Sequence, residues 1–422
     1  METLRRKRRR RRGEEFSWHE AGTRRLDGSV VSRARTPLPA LKSGCPVRQA
    51  GAVSGIALSR RFYERAIRPS LGGRPHAAAL LGEGSEVLGF DDAVSTDHDF
   101  GPRVQVFLPL GAPAPSFDAL PGTFEGYPTV FAATGRNGGE PCHHVEVTDA
   151  GAFFARRLGI DPAAGLGLAD WLLTPTQTLA ALTAGAVFHD PDGELARRRA
   201  ALSWYPRDVW RYALAAGWLR VAQEEAFVGR AGAVGDDLGS RVVAGRLVRE
   251  LVRLAFLIER RWAPYPKWLG SGFARLHLAA TAGPPLAAAL AAAGTRERED
   301  ALVTAAGLLV AATNELGLAA PVDPEPRAFH TRDIRVLHAE RLTVALTAAV
   351  TDPGVRALVD RLGGRRGGPI GTLPGTIDQV TDSTEILVDP ARCRRAAALV
   401  GLPAVGSCAP DHDTGRPPAA AA

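Results

Sequence analysis

Two aspartates one residue apart, Asp97 and Asp99, follow a short apolar run, His76–Leu81, and a glycine-rich turn, Gly82-Glu83-Gly84-Ser85. On an extended backbone successive side chains alternate, so both carboxylates project to one face. Their oxygens can then share a pair of hard divalent cations such as Mg2+. A Gly-Ser turn after a strand lets backbone amides and a hydroxyl approach phosphate oxygens without a Cβ in the way. Metals facing a phosphate cradle suit in-line nucleotidyl transfer. The cations polarise the α-phosphate of a nucleoside triphosphate, stabilise the leaving pyrophosphate and activate an acceptor hydroxyl. The chain has three Asp-x-Asp pairs, the others being Asp190/Asp192 and Asp411/Asp413, and five Gly-Ser dipeptides. Only Asp97/Asp99 combines a Gly-Ser at this distance with an apolar run before the glycines and strand alternation shortly after. The competing use of such residues is a turn whose aspartates cap neighbouring amides.

The elements that must position these groups are legible as patterns. Leu58, Phe62, Ala66 and Ile67 recur at helical spacing, with Ser59 as a cap and Pro69 as a stop. Strands are expected at His76–Leu81, at Val104–Leu108, at Thr129–Ala132 and at Val145–Thr148, where Val145 and Val147 share one face and Glu146 the other. From Leu166 to about Val350 the periods are helical. Val243, Leu247, Leu251, Leu254 and Ile258 form one apolar stripe, and Arg246, Arg249, Arg253 and Arg260 line another face that reads as solvated. The expected fold is therefore α+β, a small mixed sheet over 56–155 followed by a mainly helical domain over 160–390. Residues 1–55 and 409–422 read as disordered, a basic extension and a tail.

Further stretches carry a resemblance. Leu58-Ser-Arg-Arg-Phe-Tyr63, Gly84-Ser-Glu-Val-Leu-Gly-Phe-Asp91 and Ser95-Thr-Asp-His-Asp-Phe-Gly-Pro-Arg103 are three of them. Asp170-Trp-Leu172, Ala263-Pro-Tyr-Pro-Lys-Trp-Leu-Gly270 and Ile377-Asp-Gln-Val-Thr-Asp-Ser-Thr384 are the others. Through these, most of residues 55–390 resembles a bacterial family called domain of unknown function 4037. That family is itself similar to the nucleotidyltransferase superfamily of the aminoglycoside and lincosamide enzymes. The resemblance implies a nucleotidyltransferase-like domain, two Mg2+ on Asp97 and Asp99, and a nucleoside triphosphate against Gly84 and Ser85. It also implies a third carboxylate on a neighbouring strand, acting as general base or metal ligand. Glu146 is the candidate, Asp149 the runner-up, and a solvent-facing edge residue the alternative use. Lys267, between Tyr265-Pro266 and Trp268, is the candidate for the leaving pyrophosphate, against the alternative of a lysine snorkelling from a packing site. The chain departs from the wider superfamily at His98, where an apolar residue is usual, and at Gly101-Pro102, which interrupts the strand after the pair.

Charge narrows the partners. Residues 1–12 carry eight Lys/Arg and one Glu, while the other 410 residues carry 44 basic and 44 acidic side chains. A neutral body argues against a phosphate-tracking surface, so nucleic acid is expected only through the basic arm and the acceptor is expected to be a small molecule. No apolar run is long enough to span a membrane, and four scattered cysteines fit a reducing compartment, so the protein is expected in the cytoplasm. Cys142-His143-His144 lacks zinc spacing. Gly363-Gly364 and Gly367-Gly368 read as a loop. Asp378 and Asp382 read as caps. Two functions remain: a Mg2+-dependent nucleotidyltransferase, or a binding protein of the same fold that catalyses nothing. Because residues 1–50 offer no core face, their deletion is expected to leave the thermal midpoint and nucleotide binding unchanged. A fall of more than about 5 °C, on the order of 1 kcal/mol, in a melting curve would show that they pack.

Overall fold

Among the described residues the chain forms one four-stranded sheet. The computed structural model describes residues 54–92, 101–131, 142–363 and 372–403, all inside a unit that runs from Cys45 to Ala422. The basic arm, the tail and the glycines at 364, 367 and 368 lie outside these residues. The strands are β1 (Ala77–Leu80), β2 (Val104–Phe107), β3 (Val145–Thr148) and β4 (Ala186–His189), in the order β3-β2-β1-β4. β1 runs antiparallel to β2 and β4, and β2 runs parallel to β3, with Val104 opposite Val145 and Gln105 opposite Glu146. Val104, Val106, Ala78, Val145 and Val147 pack with Phe62, Tyr63 and Ile67 on one face, while Ala77, Ala79 and Phe107 pack with Phe153 and Phe154 on the other. Burial on both faces is why β1, Ala-Ala-Ala-Leu, shows no alternation.

The sheet differs from the sequence reading in its fourth strand. β4 comes from within the stretch read as helical. Its four residues, Ala-Val-Phe-His between Gly185 and Asp190-Pro191, do not alternate apolar with polar. Thr129–Ala132 reduces to Val130–Phe131 paired with Cys142–His143, with Ala132 outside the described residues. A hairpin of Arg327–Phe329 and Arg332–Val336 also interrupts the helices. It buries Ile334 and Val336 in the alternation that a half-covered strand shows.

The first helix, α1 (Gly55–Phe62), starts earlier than expected, widens into a π turn over Tyr63–Ile67 and closes with Arg68–Ser70. Pro69 therefore lies in the last turn, where it cannot donate to the carbonyl four residues back, and the wider turn precedes it. Ser59 is not the cap. It is buried, and its Oγ accepts from the Arg103 amide at 3.1 Å. The Gly55 amide is instead taken by Asp91 Oδ2 at 2.8 Å.

Helices α2 (Ala150–Leu158), α3 (Thr176–Thr183), α4 (Arg207–Glu224), α5 (Asp237–Ile258) and α6 (Pro266–Phe273) build the rest of the site's surroundings. α4 buries Trp210, Tyr212, Leu214, Trp218 and Val221 around its circumference, as an enclosed helix does. Gly217 lets α5 approach, since a Cβ there would stand 2.8 Å from Leu254 Cδ2. On α5, Leu247, Leu251, Leu254 and Ile258 face the core as the stripe predicts. Its arginine face is not simply solvated. Arg246 pairs with Glu224 at 2.7 Å, Arg249 with Glu250 at 3.4 Å, and Arg253 with the buried Asp378 at 3.0 Å. Among the described residues no helix is long and apolar enough to cross a membrane.

Asp208 shows how the helical part is tied. It accepts from the Thr351 amide at 2.7 Å, from the Asp352 amide, and from Arg211 at 2.6 Å. Burial pushes its carboxyl up, but these hydrogen bonds outweigh burial and hold it at about 2, below its ordinary 3.8. A depressed carboxyl contributes stability above its unfolded value and loses it as pH falls through its folded value. Asp208→Asn is expected to cost about 2 kcal/mol at pH 7. The gap to wild type should close between about pH 4 and pH 2, as denaturant titrations across that range would show. A gap independent of pH would contradict this account.

Candidate active site

Gly82 and Gly84 turn the chain out of β1 at φ of 89° and 133°, values that L-residues with a Cβ rarely adopt. Where the strand ends, Gln105 from β2 takes both backbone groups of Leu81, accepting from its amide at 2.9 Å and donating to its carbonyl at 3.2 Å. The turn then docks on the end of α3: Gly82 donates to the Ala181 carbonyl at 3.0 Å, and Gly185 donates to that of Val87 at 2.9 Å. Phe90 closes it by donating to the Ser85 carbonyl at 2.8 Å. Ser85 is half-buried, and its hydroxyl makes no hydrogen bond among the described residues.

Each glycine faces a guanidinium. A Cβ on Gly84 would run into Arg103 and the Glu86 carboxylate, which form an ion pair there, and Arg103 also donates to the Glu83 carbonyl at 2.7 Å. A Cβ on Gly82 would stand 3.4 Å from Arg157 Nε. Arg157 lies over the Phe153 ring at 3.8 Å and pairs with Glu146 at 3.3 Å, and Arg156 holds the other Glu146 oxygen. Glu146 thus lies on the sheet face opposite Val145 and Val147, as its spacing predicts, but both its oxygens are engaged.

The helical part meets the turn from outside. Phe90 stacks on Trp268 with centroids 5.0 Å apart, and Arg275 covers its ring at 3.9 Å while donating to the Gly89 carbonyl at 2.6 Å. Trp268 Nε1 donates to the Tyr265 hydroxyl at 2.7 Å, and burial, with Glu86 nearby, pushes that hydroxyl's pKa up. Lys267 is exposed, its Nζ 4.9 Å from the Trp268 ring centre. The structure therefore brings Gly84, Ser85 and the segment bearing Lys267 together around one turn.

Asp97, His98 and Asp99 lie outside the described residues. Among the described residues no three His, Cys, Asp or Glu side chains gather to hold a metal. Asp149 is a cap, accepting from the Ala152 amide of α2 at 2.8 Å. Gly101 is fixed by crowding, since a Cβ there would lie 2.6 Å from both the Pro128 carbonyl and the Phe131 ring. His144 stacks on Phe131 at 3.7 Å, a packing role. Asp378 accepts from the Thr176 amide at 2.8 Å, so it does cap α3, and it also pairs with Arg253. Asp382 is exposed, 3.8 Å from Arg249.

Sequence reasoning passed over Glu86, Phe90, Arg103, Arg157 and Arg275. Three of them, Glu86, Phe90 and Arg103, fall in stretches that carry the resemblance, which is the signal that could have found them.

Comparison with known proteins agrees with that resemblance in part of the chain. A family described as domain of unknown function (DUF4037) matches residues 171–269. Among solved structures the chain is similar to a nucleotidyltransferase-like protein from Exiguobacterium sibiricum 255-15, at 14% identity over 72% of this chain and 92% of that one, with a TM-score of 0.27. Among curated proteins none matches.

Gly84→Ala would introduce both a strained φ and a collision with the Arg103–Glu86 pair. A loss of about 1–3 kcal/mol is expected in chemical denaturation. An unchanged midpoint would mean that the turn does not hold this form in solution.

Proposed function

We propose that the chain is a Mg2+-dependent nucleotidyltransferase, moving a nucleoside monophosphate from a nucleoside triphosphate to a hydroxyl of a small-molecule acceptor. The observation that carries this reading is the turn Gly82–Ser85. It leaves a buried strand at positive φ, carries a serine, and is flanked by the guanidinium groups of Arg103 and Arg157. Such a turn suits a polyphosphate, because amides and cations converge where no Cβ intervenes.

In this reading Gly84 and Ser85 hold the phosphates and Lys267 meets the leaving pyrophosphate. Asp97 and Asp99 hold two Mg2+, which when bound would polarise the α-phosphate and neutralise the leaving group. The acceptor oxygen attacks the α-phosphorus, its bond to the bridging oxygen of the β-phosphate breaks, and pyrophosphate departs. The acceptor proton goes to Glu146 or to solvent. Glu146 must part from Arg156 or Arg157 to receive it. That engagement favours a second reading, in which the protein binds the nucleotide and transfers nothing.

Asp97→Asn with Asp99→Asn tests the first reading. Two carboxylates held close repel, so the apoprotein is expected to be as stable or slightly more so, while the Mg2+-triphosphate shift in melting temperature disappears. A capping role predicts the reverse: lower stability without ligand and an unchanged shift. Pyrophosphate release with each triphosphate and a metabolite pool separates transfer from binding alone.

A further inference from the structure

The Arg103–Glu86 pair stands against the glycine turn. Both groups crowd the open side of Gly84, the one position in the turn where a Cβ is excluded by two side chains of opposite charge. The Arg103 and Glu86 side chains are only 25% and 15% exposed, so the pair is more than a surface contact. A guanidinium has five donors. Among the described residues Arg103 uses one terminal nitrogen, on Glu86 and on the Glu83 carbonyl, while its buried Nε has no partner. Its backbone is fixed independently of the side chain, because the Arg103 amide donates to Ser59 and the next residue enters β2. The side chain is thus free to change partner without moving the strand. Glu86, by contrast, sits in the turn itself, with the Gly89 amide donating to its carbonyl at 3.0 Å.

We propose that Arg103 is a phosphate-binding residue of this turn and that Glu86 is an internal anion occupying its guanidinium until a polyphosphate displaces it. The proposal rests on the nucleotide-binding reading above and adds to it a built-in competitor. A carboxylate and a phosphate both make charge-assisted contacts with a guanidinium, so each satisfies Arg103 in turn. Exchange costs the Glu86 contact, and the apparent affinity is lowered by the fraction of molecules in which Arg103 is paired internally. The chemistry is that of a tri- or polyphosphate, with or without a nucleoside.

The sign of one substitution decides the matter. Glu86→Gln keeps the shape and removes the charge. Inorganic tripolyphosphate and each nucleoside triphosphate are titrated by calorimetry into wild type, Glu86→Gln, Arg103→Lys and Arg103→Gln, with Mg2+ and with chelator. Melting curves of the unliganded variants establish that each is folded. The expected result is binding to Glu86→Gln about three- to tenfold tighter than to wild type. Arg103→Gln should bind at least about tenfold more weakly, with Arg103→Lys between. If wild type binds triphosphate and Glu86→Gln binds it equally or less well, Glu86 is only a structural partner and this proposal falls while the nucleotide reading stands. If neither wild type nor Glu86→Gln binds tripolyphosphate or any nucleoside triphosphate, both fall. Because Glu86→Gln retains Arg103, the decision does not depend on the arginine variants folding.

Discussion

Leu81 follows directly on the buried strand β1, and the chain leaves it through glycines at positive φ. Its amide and carbonyl have no further strand partner, and leaving such groups dry would cost on the order of 1–3 kcal/mol each. Gln105 takes both. That exchange fixes the start of the turn to β2, so the segment entering β2 and the glycines leaving β1 are held by one side chain. The positive φ of Gly82 and Gly84 follows, because the chain must reverse within a few residues to reach its contacts with Ala181 and Gly185. Every other feature of the candidate site is arranged around this exit.

Electrostatics then explains why the flanking residues come in pairs. Two guanidinia point at the two glycines, and a partly buried guanidinium without a counter-charge is costly. Arg103 is balanced by Glu86 from the turn, and Arg157 by Glu146 from β3. Arg275 takes a different solution, using the Leu88 and Gly89 carbonyls and the face of Phe90. The turn is therefore lined with positive groups whose partners are carried by the protein itself.

Much of this was legible in the residues, and the part that was not has a physical reason. The turn, three of the four strands and the stripe of α5 follow from local pattern: short apolar or alternating runs bounded by turn residues for the strands, and a helical period for α5. Glu146 fell on the face its alternation predicts. β4 left no period because its first three residues, Ala-Val-Phe, are all apolar, whereas the equally short β3 alternates as Val-Glu-Val. Ser59 was read as a cap from local position, whereas its partner is Arg103, 44 residues away. The arginines of α5 were read as a solvated face, because spacing on one helix says nothing of acids arriving from elsewhere. Arg253 meets Asp378 across 125 residues. The pairs at the turn are of the same kind, since Arg103 and Glu86 are 17 residues apart with a strand boundary between them.

The distant contacts also explain what the late stretch Ile377–Thr384 contributes. Helix α3 has eight residues, a length that is marginal on its own. Its first amide is held by Asp378, 202 residues later, and that aspartate is in turn held by Arg253. Its other end is closed by Arg199, which donates to the Ala184 carbonyl at 3.0 Å and also to that of Thr183. This is the end that receives Gly82 through Ala181. An eight-residue helix spans about 12 Å, so α3 acts as a short strut between the Asp378–Arg253 pair and the glycine turn. The late segment thereby bears on the turn, by fixing the helix on which the turn docks. The chain closes on itself at the point where the candidate chemistry is held.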